Sequence, residues 1–284
     1  MSYKNKKVVI AITSCKRFNL LRRTLYGLSV CCEDIGIVDE ILFFDDSSSK
    51  YDRIETVELF KKYFPLTYVQ NVYFEPDSFP VEMKNYRHAM VLNTLRDKLI
   101  EVGADYYLHL EDDYQYVTSF KLSESIDALM NSDVYAYVCH YQSWKHFPEE
   151  FKIKWVDNFW EWYYDDKLPV NSVLFADKIG ALQEATLSPH EYVHRTWIMY
   201  INWPHFSFRP GVHDVKKLLT LDKFSTNYDI KVTSVEFEFA MRWVQKYKML
   251  CVKNLHVLNL APNFTINSEP SAYKLTYEND PDWT

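Results

Sequence analysis

Three consecutive carboxylates, Glu111, Asp112 and Asp113, stand at the end of an apolar and aromatic run that begins at Tyr106. Residues 106–110 have the length and bulk of a strand covered on both faces. Ionised carboxylates at the tip of such a strand are costly without a cation or hydrogen-bond donors. A divalent metal supplies that charge, because hard oxygen ligands suit Mg2+ or Mn2+, and Mg2+ commonly takes one or two carboxylates together with substrate phosphates. A solvated acidic turn is the competing reading of the triplet taken alone.

Other reactive residue types sit in comparable places. Thr13 and Ser14 close the β-branched run 8–12, and Asp45 and Asp46 close the apolar run 40–44. Glu236 lies in a late amphipathic stretch, 233–248, three residues after Thr233. That is capping-box spacing, so Glu236 either caps the helix or accepts a proton from a substrate hydroxyl. His256 follows a last apolar run at 249–253 and reads as a hydrogen-bonded packing residue or as a ligand for an Mn2+-class ion. The segment 192–212 mixes aromatics with His194, Arg195, His205 and Arg209, cations that either balance a diphosphate or lie exposed on a strand pair.

The elements that must position these residues alternate along the first half of the chain. A strand over 8–14 precedes a helix over 19–31, where Leu20, Leu21, Thr24, Leu25 and Leu28 recur at helical spacing. A strand over 40–44, a helix through Ile54, Val57, Phe60 and Tyr63, and a short strand over 67–71 follow. Ala89, Leu92, Leu95, Leu99 and Val102 mark a helix from residue 84 that Gly103 ends, and the strand of the acidic triplet comes next. This order predicts an α/β fold with a mostly parallel sheet and helices on its faces. Ligands of such sheets bind beyond the carboxyl ends of the strands, where Thr13, Ser14, Asp45, Asp46 and residues 111–113 would gather. Three polar strand ends in one place favour a shared site over a solvated turn.

Further along, a helix over 123–130 and a strand over 134–139 lead into a crowd of aromatics, Trp144, Trp155, Phe159, Trp160, Trp162, Tyr163 and Tyr164. Most read as core, with one or two in contact with an acceptor. The 284 residues carry 48% hydrophobic and 17% aromatic residues with only 5 Gly, so the chain is globular and has no low-complexity linker. A net charge of −7 weighs against a protein whose main work is gripping a polyanion. No apolar run is long enough for a signal-peptide core or a membrane span. The 5 cysteines are odd in number and lack a C-x-x-C pair, which points to reduced thiols in a cytoplasmic setting.

Together these residues resemble the nucleotide-sugar-dependent glycosyltransferases of the GT-A fold, especially the large family 2 class. Residues 8–17 resemble the first strand and nucleotide loop, and residues 44–48 the acidic turn set against base and ribose. Leu110, Glu111, Asp112 and Asp113 are similar to the D-x-D element in an E-D-D form. Residues 234–242 resemble the late E-D-x-E-x-A-x-R helix, although Val235 replaces its first acid and the base is Glu rather than Asp. The usual A-R-N motif is also missing, with Lys84, Asn85, Tyr86, Arg87 and His88 in its place.

The resemblance implies a Rossmann-like GT-A domain over 1–262, with a mostly parallel central sheet and a smaller antiparallel acceptor-side region. Residues 1–117 would form the nucleotide-sugar half, 118–262 the acceptor half, and 263–284 a tail. It implies Mn2+ or Mg2+ on Asp113 and His256, and a nucleotide-diphosphate sugar, UDP favoured, on Thr13, Ser14, Arg17, Asp45, Asp46, Arg87 and Asp112. Glu236 takes the place of the inverting base, and the acceptor is a glycan or glycoconjugate. A hydroxylated base in DNA is the alternative acceptor, and a non-catalytic carbohydrate-binding protein on the same scaffold is the alternative role.

Overall fold

The structure, a computed structural model, describes residues 3–74, 84–141, 155–162, 166–167, 173–176, 182–184, 198–201, 204–226, 235–253 and 256–260. The apolar runs of the first half form β1 (Val8–Ser14), β2 (Glu40–Asp46), β3 (Tyr68–Phe74) and β4 (Tyr106–Glu111). The periodic stretches between them form α1 (Phe18–Cys31), α2 (Lys50–Tyr63) and α3 (Lys84–Glu101). Gly103, at φ 68°, follows the end of α3 as its place in the sequence predicts. β2 and β3 run further than their apolar cores, so Asp45 and Asp46 are strand residues and not a turn.

The second half begins with β5 (Tyr114–Tyr116), α4 (Leu122–Met130), β6 (Tyr135–Cys139), β7 (Trp155–Val156) and β8 (Phe159–Glu161). It continues through β9 (Val173–Ala176), β10 (Leu182–Glu184), β11 (Ile198–Ile201), β12 (Gly211–Asp214) and α5 (Val215–Leu218). It ends with α6 (Val235–Trp243), β13 (Lys248–Val252) and β14 (Val257–Asn259). The late helix is shorter than its periodic pattern, because the chain turns after Trp243 and Lys248 already belongs to β13, its N–H donating to the Val134 carbonyl. Residues 263–284, Trp144, Tyr163, Tyr164, His194, Arg195 and Thr233 lie outside the described residues.

One nine-stranded sheet runs in the order β3-β2-β1-β4-β12-β6-β13-β8-β7. β3, β2, β1 and β4 are parallel, as are β6 and β13, while β12 is inserted antiparallel to both β4 and β6. A three-stranded antiparallel sheet, β10-β9-β11, and a ribbon pairing β5 with β14 complete the fold. Alternate residues of each strand face opposite layers. Val8, Ile10 and Ile12 pack with Leu21 and Leu25 of α1, Phe60 of α2 and Ile126 of α4. Val9 and Ala11 pack on the other face with Leu92 and Leu95 of α3 and Phe239 and Trp243 of α6. Trp160 and Trp162 are core residues of that second layer, 5.4 Å apart and stacked.

The inverted β12 fits only because Gly211 has no side chain, since a Cβ there would collide with the Val138 carbonyl and the Tyr137 ring. Two positions on, His213 is wedged between the rings of Tyr107 and Tyr137, at centroid distances of 4.8 and 4.1 Å. Burial holds the His213 imidazole well below its ordinary value and lowers His109 and His140 to about 3 and His205 to about 4. A folded state with neutral imidazoles binds fewer protons than the unfolded chain. The stability they contribute is therefore complete above the ordinary value of 6.5 and lost as pH falls through it. Urea melts are expected to show falling midpoints between pH 7.5 and 5.5. His213→Phe should flatten that dependence by up to about 1.4 kcal/mol per pH unit, the weight of one proton. An unchanged slope would mean that His213 is already protonated when folded.

Candidate active site

The carboxyl ends of β2, β1 and β4 lie side by side, with Ser14 opposite Asp45 and Thr13 opposite both Phe44 and Glu111. β12 runs the other way, so the turn that precedes it, residues 205–210, reaches the same edge, as does the first turn of α6 with Glu236. The chain reverses after β4 into the β5–β14 ribbon, and Leu260 N–H closes on the Asp113 carbonyl at 2.6 Å.

Asp112 points inward. It has 0% exposure, and its Oδ2 accepts from Ser14 Oγ at 2.9 Å and from the Cys15 N–H at 3.0 Å, while its Oδ1 meets Arg17 Nη2. Its carbonyl accepts from Thr24 Oγ1 at 2.7 Å, and its N–H donates to the Thr13 carbonyl at 3.0 Å. Burial pushes its carboxyl up to about 6, against the pull of Arg17 and the two donors. Arg17 also bridges to Asp113, Nη1 to Oδ2 at 3.0 Å. Burial opposes the guanidinium charge, yet Asp112, Asp113 and Glu111 outweigh it and raise the Arg17 pKa.

Asp113 keeps one oxygen, Oδ1, buried and without a hydrogen-bond partner among the described residues. That is the open donor a hard cation needs. No cluster of three His, Cys, Asp or Glu side chains able to hold a metal occurs among the described residues. One carboxylate oxygen completed by phosphate oxygens and water fits a Mg2+-class ion, whereas a closed protein cage would not describe the site. His256 is not brought to Asp113. The ribbon carries it opposite Val117, four residues from Leu260 and so on the order of 13 Å along the strand. There its Nδ1 lies 2.8 Å from Thr118 Oγ1, and its ring packs by Phe120 and His140.

Asp45 and Asp46 are buried and committed to arginines. Arg53 Nε donates to Asp45 at 3.1 Å, and Arg87 donates to Asp46 through Nε at 2.9 Å and Nη2 at 2.7 Å. Arg87, which the resemblance groups with Asp46 among the donor-binding residues, stands beside it as its counter-ion. Burial raises the Asp45 pKa against Ser48 and Arg53.

Glu236 is fastened across a separation of 29 residues: its Oε1 accepts from Ser207 Oγ at 2.6 Å and from the Phe208 N–H at 3.0 Å. No described residue donates to its Oε2. Glu111 faces it, and burial, then Asp113, with Glu236 and Asp112 adding, holds the Glu111 carboxyl well above the ordinary carboxylate range against Arg17. The sequence reading did not anticipate Ser207 here. The one local signal was a Ser two residues before Arg209-Pro210-Gly211, which marks a turn but not its partner.

Removing the cation from this cluster leaves Asp112 buried with only neutral donors. Arg17→Met is expected to destabilise the fold by about 2–4 kcal/mol at pH 8 and by less at pH 5, because the lone carboxyl then holds its proton to still higher pH. Denaturant melts at the two pH values measure it. An equal loss at both would show that Asp112 is not the group uncovered.

No protein-family model matches the chain, and no curated protein does. Solved structures do. The mannosyltransferase PcManGT from Pyrobaculum calidifontis, in complex with GDP-Man and Mn2+, matches with TM-score 0.53 at 11% identity, over 93% of this chain and 60% of that one. GalNAc-T7 with UDP, GalNAc and Mn2+ matches with TM-score 0.52 at 12% identity, over 88% of this chain and 43% of that one. S. aureus TarS 1–349 matches with TM-score 0.50 at 10% identity, over 88% and 59%. The chain spans 43% to 60% of the length of these proteins. At such identities the likeness is one of fold, and with the sheet order and the polar strand ends it shows that the chain has the Rossmann-like GT-A fold.

Proposed function

We propose that this protein is a metal-dependent glycosyltransferase that moves a sugar from a nucleoside-diphosphate sugar to an acceptor hydroxyl with inversion. The observation that carries the reading is a pair of carboxylates with an open oxygen each, Asp113 Oδ1 and Glu236 Oε2, both acting on Glu111 at the carboxyl edge of a GT-A sheet. The solved structures of the same fold were obtained with GDP-Man and Mn2+ and with UDP, GalNAc and Mn2+, which supports the donor class. In this reading residues 1–117 hold the donor, with UDP favoured, and 118–262 present the acceptor, a glycan or glycoconjugate. The five free thiols support a reducing, cytosolic setting. Among the described residues no helix is long and apolar enough to cross a membrane.

A Mn2+ or Mg2+ bound at Asp113 would supply positive charge to the diphosphate as it departs. The chain's own residues do the rest. Ser207 and the Phe208 N–H fix the Glu236 carboxylate through Oε1, so Oε2 keeps one orientation for an acceptor hydroxyl. Oε2 takes the hydroxyl proton, the oxygen attacks the anomeric carbon, and the bond to the phosphate oxygen breaks with its electron pair leaving on the diphosphate. Holding both reactants in line contributes much of the acceleration. The Asp112 tie keeps the nucleotide loop, residues 14–17, at a fixed height above the β4 tip.

Two substitutions test this. Asp113→Ala should abolish Mn2+-dependent hydrolysis of the donor. Glu236→Gln should leave nucleoside-diphosphate affinity within about twofold while lowering transfer by roughly 100-fold or more, the usual contribution of a positioned base. Near-normal turnover of Glu236→Gln would remove it from the role of base, and an axial-to-equatorial product assignment by NMR would separate inversion from retention.

A further inference from the structure

The cations of segment 192–212 are not equivalent in the structure. His194 and Arg195 lie outside the described residues, and His205 is a buried core imidazole whose Nδ1 accepts from the Met249 N–H at 3.2 Å. Arg209 is different. Its carbonyl accepts from Tyr137 Oη at 2.7 Å, its N–H donates to Ser207 Oγ at 3.2 Å, and the carbonyl of Pro210 accepts from His140 N–H at 2.8 Å. The backbone that carries it is therefore pinned on both sides. Its half-buried guanidinium lies over the ring of Tyr141 at 4.9 Å. Burial opposes its charge, while Tyr114, Cys139, Glu236 and Tyr141 favour it and raise its pKa.

The other arginines at this edge are committed to carboxylates: Arg17 to Asp112 and Asp113, Arg53 to Asp45, and Arg87 to Asp46. Among the described residues no carboxylate or carbonyl accepts a hydrogen bond from the guanidinium of Arg209. A guanidinium presents five donors in a planar fork matched to phosphate oxygens. Its location fits that use. Ser207, which holds the Arg209 N–H, also holds Glu236, and the Tyr141 ring under the guanidinium lies 5.3 Å from the ring of Tyr114, the residue next to Asp113. Tyr114 and Tyr141 thus lie within electrostatic reach of both Arg209 and Asp113. Asp113 and Glu236 would repel a departing diphosphate, and Arg209, which acts on Glu236, is a cation able to offset them.

We propose that Arg209 is a donor-binding residue whose guanidinium takes the distal phosphate of the nucleoside diphosphate. The proposal rests on the transferase reading above.

Isothermal titration of the full chain with UDP and GDP, and with UMP and GMP, each with Mn2+, tests both levels separately. For the diphosphate that binds the unaltered protein, Arg209→Ala should weaken affinity by at least ~10-fold, the loss expected for a charged hydrogen bond, and Arg209→Lys by less. Affinity for the matching monophosphate should change by less than ~2-fold, since it lacks the group recognised. Equal losses for mono- and diphosphate, or none for either, overturn the assignment of Arg209. If Arg209→Ala does not fold, as judged by its thermal melt, the Lys variant decides: a loss confined to the diphosphate supports the proposal, and unchanged affinity overturns it. Failure of the unaltered protein to bind either diphosphate would instead sink the transferase reading, and the role of Arg209 with it.

Discussion

A carboxylate with no exposure to solvent, Asp112, joins three elements that are otherwise only neighbours. Ser14 and Cys15 belong to the end of β1 and the loop after it, Arg17 to the entrance of α1, Thr24 to the second turn of that helix, and Asp112 to the tip of β4. A buried charge is tolerated only when its lone pairs are satisfied, and here side chains, a backbone N–H and a guanidinium do so together. The height of the loop over residues 14–17 above the sheet is therefore set by chemistry inside the protein, before any ligand arrives. Asp113 depends on this arrangement, because its partner Arg17 is held in place by Asp112.

The same logic divides the acidic strand ends into two kinds. Asp45, Asp46 and Asp112 are buried and paired, so they shape the edge. Asp113 and Glu236 each have one oxygen engaged by the protein and one that no described residue donates to, so they are the carboxylates able to face a substrate. Glu111 lies between the two groups, and burial among like charges favours its protonated form. The acids of this edge thus range from fully paired to partly open. Sequence alone does not grade them, since all six are simply acidic.

What could be read from the sequence follows from how local each signal is. α1 was legible because Leu21, Leu25 and Leu28 all face one layer, and β1 because β-branched residues fill both of its faces. The gathering of Thr13, Ser14, Asp45, Asp46 and residues 111–113 followed from strand alternation and a topology rule. β12 escaped notice. It is four residues long, begins with Gly211 and carries a histidine in the core, so nothing in its pattern distinguishes it from loop. The grip of Ser207 on Glu236 is a tertiary contact with no periodicity behind it. His256 lies near the acidic triplet in topology, but the register of β5 with β14 carries it away from Asp113, and that register is invisible without the pairing itself.

The reversed β12 also bears on how the chain assembles. Its two partners, β4 and β6, are complete by residue 139, yet the edges they turn toward each other stay unpaired until residues 211–214 emerge from the ribosome. Until then two apolar strands present open backbone edges toward each other, a state prone to pairing with other chains. One four-residue segment closes both edges at once. The seam between β4 and β6 is therefore sealed late in synthesis, by the strand whose preceding turn later receives Glu236.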